Sequence, residues 1–246
     1  MDKILPFSFI AYDTKALSSD NTEKTKTLSF FEDIYENAPS VTEDIETEIT
    51  KRFFDIPEAK ELLYKELCVS NDFSYKLNIQ TSNISNNIKK PGDIDIIICD
   101  KNKPQEPIAI EVKIFKAKLD ENGEANFKGR MTRNFKKGVE QANGLKNIRF
   151  YNSYLLLLIE VDGRDNHVNN LISRNLNNRN FKKIYNFPYK ENLCQDVGII
   201  YIEVIQPTDS AIERTGMIAI NIERKANKII QPSDLSTKIN NLFKTI

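Results

Sequence analysis

The stretch from Asp93 to Cys99 reads DIDIIIC, and the segment PIAIEVKIF at positions 107–115 follows it after a short polar interval. Both segments are rich in β-branched residues and the interval contains Pro104, a pattern typical of two strands joined by a turn. Side chains alternate between the faces of a strand, so Glu111 and Lys113 share one face of the second strand. A hairpin of these segments would bring the acids of the first strand close to that face.

The segments around this hairpin predict further helices and strands. Ser40-Val-Thr-Glu43 has the pattern of a helix capping box, and apolar residues recur at helical spacing from Val41 to Phe53. Pro57 interrupts or restarts this helix, and a second helical stretch runs to about residue 66. We also expect helices at 130–147 and 235–243, strands at 154–161, 197–205 and 217–222, and part helix, part loop at 166–183. The predicted fold is an α/β domain with a central mixed β-sheet flanked by helices, in which residues 1–246 form one domain.

The composition narrows the chemistry that the chain can perform. Lys plus Arg and Asp plus Glu number 35 each, so the net charge is zero and does not by itself indicate a nucleic-acid partner. The single histidine, His167, leaves almost no material for a Ser-His-Asp triad or a histidine-based metal site. The eight glycines are scattered, so there is no glycine-rich phosphate loop. Catalysis would have to depend on carboxylates and lysine.

The sequence predicts a cytoplasmic protein without a membrane segment. Its three cysteines (Cys68, Cys99 and Cys194) are odd in number and far apart, which suggests neither a disulfide framework nor a zinc site and fits a reducing compartment. The N-terminus lacks the basic region and apolar run of a signal peptide. The most apolar stretch, Leu155 to Ile159, is far too short to span a bilayer.

The hairpin residues resemble the core motif of the PD-(D/E)xK nuclease superfamily. That motif has an aspartate heading an apolar strand, a short gap, and apolar residues leading into an acid-x-lysine tripeptide. Here Asp95 precedes residues 96–98, and residues 108–110 lead into Glu111-Val112-Lys113. The resemblance implies a restriction-endonuclease-like core over about residues 41–161, with the strands and helix of 162–246 completing the same domain.

The same resemblance implies a metal site. Asp95, Glu111 and the Val112 carbonyl would bind Mg²⁺, with Mn²⁺ as a substitute, and Lys113 would assist the attacking water. Carboxylate oxygens are the ligands that Mg²⁺ prefers, and the ion would stabilise the attacking and leaving oxygens of a phosphodiester. Asp93 is an alternative first aspartate, although Asp95 is preferred because it directly precedes the apolar run.

The acid-x-lysine pattern is not confined to residues 111–113. Acid-x-lysine also occurs at Asp13–Lys15, Glu58–Lys60 and Glu223–Lys225. The first follows no acid-headed strand, the second lies in a helical segment where i and i+2 do not share a face, and the third has a charged middle residue. A surface ion pair is the simplest alternative for Glu111 and Lys113, but acids among apolar residues are costly without a partner.

The resemblance also implies a glutamate from the helix before the hairpin. Glu48, beside Ile45 and Ile49, is preferred to Glu43, which the capping box already explains. A solvated acidic helix face is the alternative for both residues.

The helix predicted at 130–147 adds further candidates. Arg133, Lys137 and Gln141 are spaced i, i+4, i+8 and therefore share a face. Gln141 resembles a glutamine that several branches of the superfamily place near the metal, although the tyrosine that marks one branch four residues later is replaced by Leu145.

Positive charge is concentrated around this helix. From Lys113 to Arg149 the chain carries ten basic and four acidic residues, a local surplus suited to contacts with a nucleic-acid backbone. We therefore expect a Mg²⁺-dependent endonuclease acting on DNA in restriction or another defence role, working alone, as a homodimer or with a partner protein. Two alternatives stay open: a non-catalytic module that binds nucleic acid or protein, and the same chemistry on RNA or branched DNA.

Overall fold

The computed structural model describes residues 8–13, 42–84, 92–119, 125–127, 131–162, 179–205 and 215–244. Within these ranges eight strands form one mixed sheet. The strands are β1 (Ser8–Asp13), β2 (Ser74–Gln80), β3 (Asp93–Cys99), β4 (Ile108–Leu119), β5 (Ala125–Phe127), β6 (Asn152–Asp162), β7 (Gly198–Ile205) and β8 (Thr215–Arg224). Their order across the sheet is β1-β8-β7-β6-β4-β3-β2, with β5 beside β4. β4, β6 and β7 are parallel, and the other neighbours pair antiparallel.

Five α-helices are described within the same ranges: α1 (Thr42–Asp55), α2 (Pro57–Leu67), α3 (Met131–Ile148), α4 (Arg179–Lys190) and α5 (Ser233–Lys244). α1 and α2 are separate because Pro57 has no amide hydrogen and is accommodated only in the first turn of a helix. α2 ends where Cys68 takes the left-handed conformation, with a φ of 58°. No helix in the described ranges combines the length and apolar character needed to cross a bilayer.

Helices cover both faces of the sheet. α1 and α2 pack on one face, where Ile49 and Leu63 belong to the same core cluster as Val112 of β4. α3 and α4 pack on the opposite face, where Phe135 and Ile184 share a core cluster with strand residues of β6 and β7. α5 also covers that second face, beside α3. A layer of helices therefore covers the central strands on each face of the sheet.

β6 lies in the middle of the sheet, between β4 and β7. Residues Leu155 to Ile159 are all buried, alternating between the two core clusters on either side. A strand that is covered on both faces reads as a continuous apolar run, which explains its composition. The prediction of a central buried strand here is confirmed.

The expectation of an α/β fold with a mixed sheet flanked by helices is confirmed. The hairpin, the helices predicted to begin near 41, to run to about 66, and at 130–147 and 235–243, and the three later strands are present with end positions shifted by a few residues. The helix α4 overlaps the segment predicted at 166–183 only over residues 179–183 and continues to Lys190. β1, β2 and β5 were not predicted. β2 is an edge strand with a mixed, half-exposed sequence, and Asn78 interrupts it with a positive φ of 50°. Ser40, Val41, His167 and the first part of segment 166–183 lie outside the described residues.

Candidate metal centre

The candidate metal centre lies at the point where the backbone hydrogen bonds between β3 and β4 end. The antiparallel register pairs Ile98 with Ile108 and Ile96 with Ile110. The next residues along the two strands are Asp95 and Glu111. At this position the Asp95 side chain, and not a backbone carbonyl, accepts the hydrogen bond from β4. The Val112 amide donates to Asp95 Oδ2 at 2.6 Å. Asp95 thus takes the place of a backbone acceptor at the point where the strands part.

An ion pair lies beside this bond on β4. Lys113 Nζ is 2.9 Å from Glu111 Oε1 and donates a hydrogen bond to the Val112 carbonyl at 2.8 Å. Glu111 is 0 % exposed and Lys113 is 4 % exposed. Charges this deep are tolerated only when they are paired and hydrogen-bonded, so the two side chains depend on one another. The simple alternative of a surface ion pair does not describe this geometry.

α3 closes over the lysine at Gly138. A Cβ atom built on Gly138 would lie 2.5 Å from Lys113 Cγ, closer than real carbon atoms approach. Only a residue without a side chain lets the helix backbone rest directly on the lysine stem. Gly138 was not among the candidates from the sequence; its one signal was a glycine in the middle of a strongly helical segment.

Gln141 lies on α3 at the level of Glu111. The helix contacts Lys113 through Gly138, and Leu145 shares a core cluster with Ala109, so α3 runs antiparallel to β4 and Gln141 falls between these two contacts. Its Oε1 atom is buried, and within the described part of the chain it has no hydrogen-bond partner. A buried amide oxygen without a hydrogen-bond partner can accept a hydrogen bond from a water molecule or ligand that enters the site.

The remaining predicted residues are less close to this centre. α1, which carries Glu43 and Glu48, packs on the opposite face of the sheet from Glu111 and Lys113, and the two glutamate side chains lie outside the described residues. Asp93 is exposed at the start of β3, opposite Gln80. On α3, Lys137 is exposed, and the side chain of Arg133 is outside the described residues.

The competing tripeptides occupy other environments. Glu58–Lys60 is in α2, as its helical pattern predicted, and residues 14 and 15 lie outside the described ranges. Glu223–Lys225 ends β8, where Arg224 donates to the carbonyl oxygens of Val197 and Cys194 at 2.9 and 2.8 Å. The middle residue of this third tripeptide therefore fastens β8 to the segment before β7.

A second buried carboxylate was missed by the sequence reasoning. Glu203 of β7 is 0 % exposed and lies on the same sheet face as Tyr201, beneath Tyr185 of α4. Burial and the nearby Glu203 raise the pKa of Tyr185 well above its usual range, while a hydrogen bond with Asn221 acts in the opposite direction. The feature of the sequence that could have identified Glu203 is an acid within the apolar run of β7.

The donors of the first centre fit a hard divalent cation. Asp95 and Glu111 supply carboxylates and Val112 supplies a carbonyl oxygen, and the Lys113 ammonium already shows that two of these oxygens attract positive charge. No cluster of three or more His, Cys, Asp or Glu side chains suited to a metal occurs in the described ranges. Mg²⁺ commonly uses one or two carboxylates and leaves its other positions to water and phosphate. Asp95, Glu111 and the Val112 carbonyl are the residues that could hold such an ion here.

Comparisons with known proteins give no relative for this chain. No protein-family model matches it, and neither a curated protein nor a solved structure shows significant similarity.

Proposed function

We propose that this protein is a metal-dependent nuclease that hydrolyses DNA phosphodiester bonds, as an endonuclease with a restriction or defence role. The observation that carries the proposal is the convergence of Asp95, Glu111, the Val112 carbonyl and Lys113 at the parting of β3 and β4. Two carboxylates, a carbonyl and an ammonium group are the parts that hydrolysis of a phosphodiester with a divalent ion requires.

The order of elements supports a restriction-endonuclease-like core. Helix α1, the β3–β4 hairpin, helix α3 and strand β6 follow one another in the order expected for such a core. The centre lies on the hairpin, and α3 covers it. β7, β8 and α5 extend the same sheet and its helical layer, which accords with a single domain.

Each group has a role that follows from its position. Asp95, Glu111 and the Val112 carbonyl would hold Mg²⁺ or Mn²⁺, which supplies Lewis-acid stabilisation of the phosphoryl oxygens. Lys113 orients the attacking water and offsets negative charge on the phosphoryl oxygens. Gln141 accepts a hydrogen bond from that water or from the substrate through its buried Oε1. Glu48 stays a prediction from the resemblance alone, because α1, which carries it, packs on the face of the sheet opposite Glu111 and Lys113.

The exposed basic residues of α3 support a nucleic-acid substrate. Lys136 and Lys137 are exposed on the helix that covers the centre. Exposed lysine side chains can contact phosphate oxygens and so bind a nucleic-acid backbone without reading its base sequence. Sequence recognition would then need other parts of the chain, a second copy or a partner protein.

Cleavage of supercoiled plasmid DNA with Mg²⁺ or Mn²⁺ tests the proposal, with single-stranded DNA, branched DNA and RNA as parallel substrates. Asp95→Asn, Glu111→Gln and Lys113→Met should each lower the rate at least about a hundredfold, because each removes a charge that stabilises the transition state. Asp72→Asn, at an exposed position before β2, is the matched control and should keep the activity. Asp93→Asn separates the two candidate first aspartates and should also keep the activity if Asp95 is the metal ligand. Equal rates for the wild type and Lys113→Met would rule out this mechanism.

A non-catalytic module is the second candidate, and one observation favours it. The Glu111–Lys113 pair is complete and buried, and a pair of that kind can serve the fold alone. Binding of DNA or of a protein without cleavage of any of the four nucleic acids, in the presence of either metal, would favour this candidate.

A further inference from the structure

The Lys113 ammonium lies on the same atoms that a metal ion would need. It is 2.9 Å from Glu111 Oε1 and 2.8 Å from the Val112 carbonyl oxygen. A Mg²⁺ ion bound to that carbonyl at about 2.1 Å would lie no more than about 5 Å from Nζ. Two positive charges at such a separation, in a site shielded from water, repel strongly.

The lysine cannot withdraw far from this position. A Cβ atom built on Gly138 of α3 would lie 2.5, 3.2 and 3.3 Å from the Cγ, Cδ and Cε atoms of Lys113, so the helix backbone passes close over the stem and leaves it little space on that side. Rotation of the last side-chain bonds is the freedom that remains, and it would turn the ammonium group away from Glu111. Release of Nζ from its two oxygen contacts is then coupled to the arrival of the metal.

We propose that Lys113 is an internal competitor of the metal: its ammonium neutralises Glu111 until a divalent ion takes over the carboxylate and the Val112 carbonyl, and metal binding frees the lysine for the substrate. This inference rests on the proposed function. Its consequence is a metal affinity weaker than the same oxygen donors would give with a neutral neighbour, and a catalytic lysine that is released only in the metal-loaded protein.

Calorimetric titration with Mn²⁺ tests the competition without any measurement of activity. Lys113→Met keeps the length of the side chain under Gly138 and removes its charge. It should bind Mn²⁺ at least about tenfold more tightly than the wild type, because the ion no longer has to displace a cation. Lys137→Met, which removes an exposed charge next to Gly138, should change the affinity less than about threefold.

Thermal melting gives a second reading of the same variant. Without metal, Lys113→Met should melt below the wild type, because Glu111 is left buried without its ammonium partner. Saturating Mn²⁺ should raise its melting temperature by more than it raises that of the wild type.

An NMR measurement on the wild-type protein tests the competition even if Lys113→Met does not fold. Lys113 is the one buried lysine among those whose burial the structure describes, and slow exchange of its ammonium protons should make its ¹⁵N signal recognisable in lysine-labelled protein; its absence in Lys113→Met assigns it. Addition of Mg²⁺ should shift that signal or broaden it as Nζ leaves Glu111. An unchanged signal at saturating metal would overturn the competition.

The outcomes separate the inference from the function on which it rests. Equal Mn²⁺ affinity in the wild type and Lys113→Met overturns the competition and leaves the metal site intact. Absence of metal binding in both proteins overturns the competition and the proposed function together. Tighter binding by Lys113→Met, lost again on Glu111→Gln in the same background, supports both.

Discussion

At the scale of single residues, Glu111 and Lys113 depend on each other for stability. Their side chains are 0 % and 6 % exposed, and the ammonium also bonds to the Val112 carbonyl. Removing two charges from water costs several kcal/mol each, and the pair recovers this cost only while both members are present. The same two residues would bind the metal and substrate, so a substitution at either one should change both the stability and the proposed activity.

We predict that Lys113→Ala lowers the free energy of unfolding, in the absence of metal, by about 3–5 kcal/mol, because Glu111 is left buried with no compensating charge. The double substitution Glu111→Leu with Lys113→Met should recover most of the loss, because apolar side chains of similar size need no partner. Urea denaturation measures both changes.

The surface pair of Lys103 and Glu106 is the control for this measurement. Its N–O distance is 3.8 Å and its side chains are 56 % and 38 % exposed. Lys103→Ala should cost less than about 1 kcal/mol. A cost for Lys113→Ala that is no larger than this would contradict the account of a buried pair.

At the scale of elements, α3 determines how the centre is enclosed. Phe135 stacks on Phe115 of β4 with 4.0 Å between ring centroids, and Gly138, one turn later, rests on Lys113. The stacked rings set the position of the helix along the strand, and the glycine sets its distance. A change at the glycine therefore acts on the lysine, although Gly138 has no functional group of its own.

Gly138→Ala tests this coupling. Alanine raises helix propensity by about 1 kcal/mol over glycine, but the added methyl group meets Lys113 Cγ at 2.5 Å, and such overpacking costs about 1–3 kcal/mol. We expect a modest net loss of stability and a larger loss of plasmid cleavage, measured where the variant is fully folded. Gly92→Ala, with no atom within 4 Å of the added carbon, should change neither quantity. A more stable and equally active Gly138→Ala would show that the helix does not hold the lysine.

At the scale of the whole molecule, two helical layers bury tyrosine hydroxyls on both faces of the sheet. Tyr64 of α2 is buried on one face, and Tyr185 and Tyr201 stack on the other with 4.0 Å between ring centroids. Burial raises the pKa of all three phenols well above the usual range. The folded protein therefore keeps them protonated at a pH where the unfolded chain would ionise them.

This difference predicts the response to alkaline pH. Because the folded-state pKa values are raised, the stability contributed by the neutral phenols is fully present below about pH 10, the pKa of an unperturbed tyrosine, and falls above it. Each such phenol should lower the unfolding free energy by about 1.4 kcal/mol per pH unit beyond that point. Urea denaturation between pH 8 and 11 measures the slope, and Tyr64→Phe should make it shallower. A slope unchanged by that substitution would exclude Tyr64 as a contributor.

The local sequence was sufficient to predict the hairpin and to identify the main candidate residues. Alternation in β4 determined that Glu111 and Lys113 share a face, and the apolar run after Asp95 identified β3. Pro57 marked the boundary between α1 and α2. These features depend on neighbours within a few residues, and such patterns are readable because a side chain's direction follows from backbone geometry alone.

Tertiary structure decided everything that depends on residues distant in the chain. The edge strand β2 had too mixed a pattern to be recognised before its pairing with β3 was known. The contact of Gly138 with Lys113 depends on how closely α3 approaches β4, and the burial of Glu203 depends on the cover provided by α4. Local patterns specify which way a side chain points, but the distance between two elements is settled by the packing of the whole core. That packing seats the ammonium of Lys113 on Glu111 and Val112, a contact that the alternation of β4 alone does not contain.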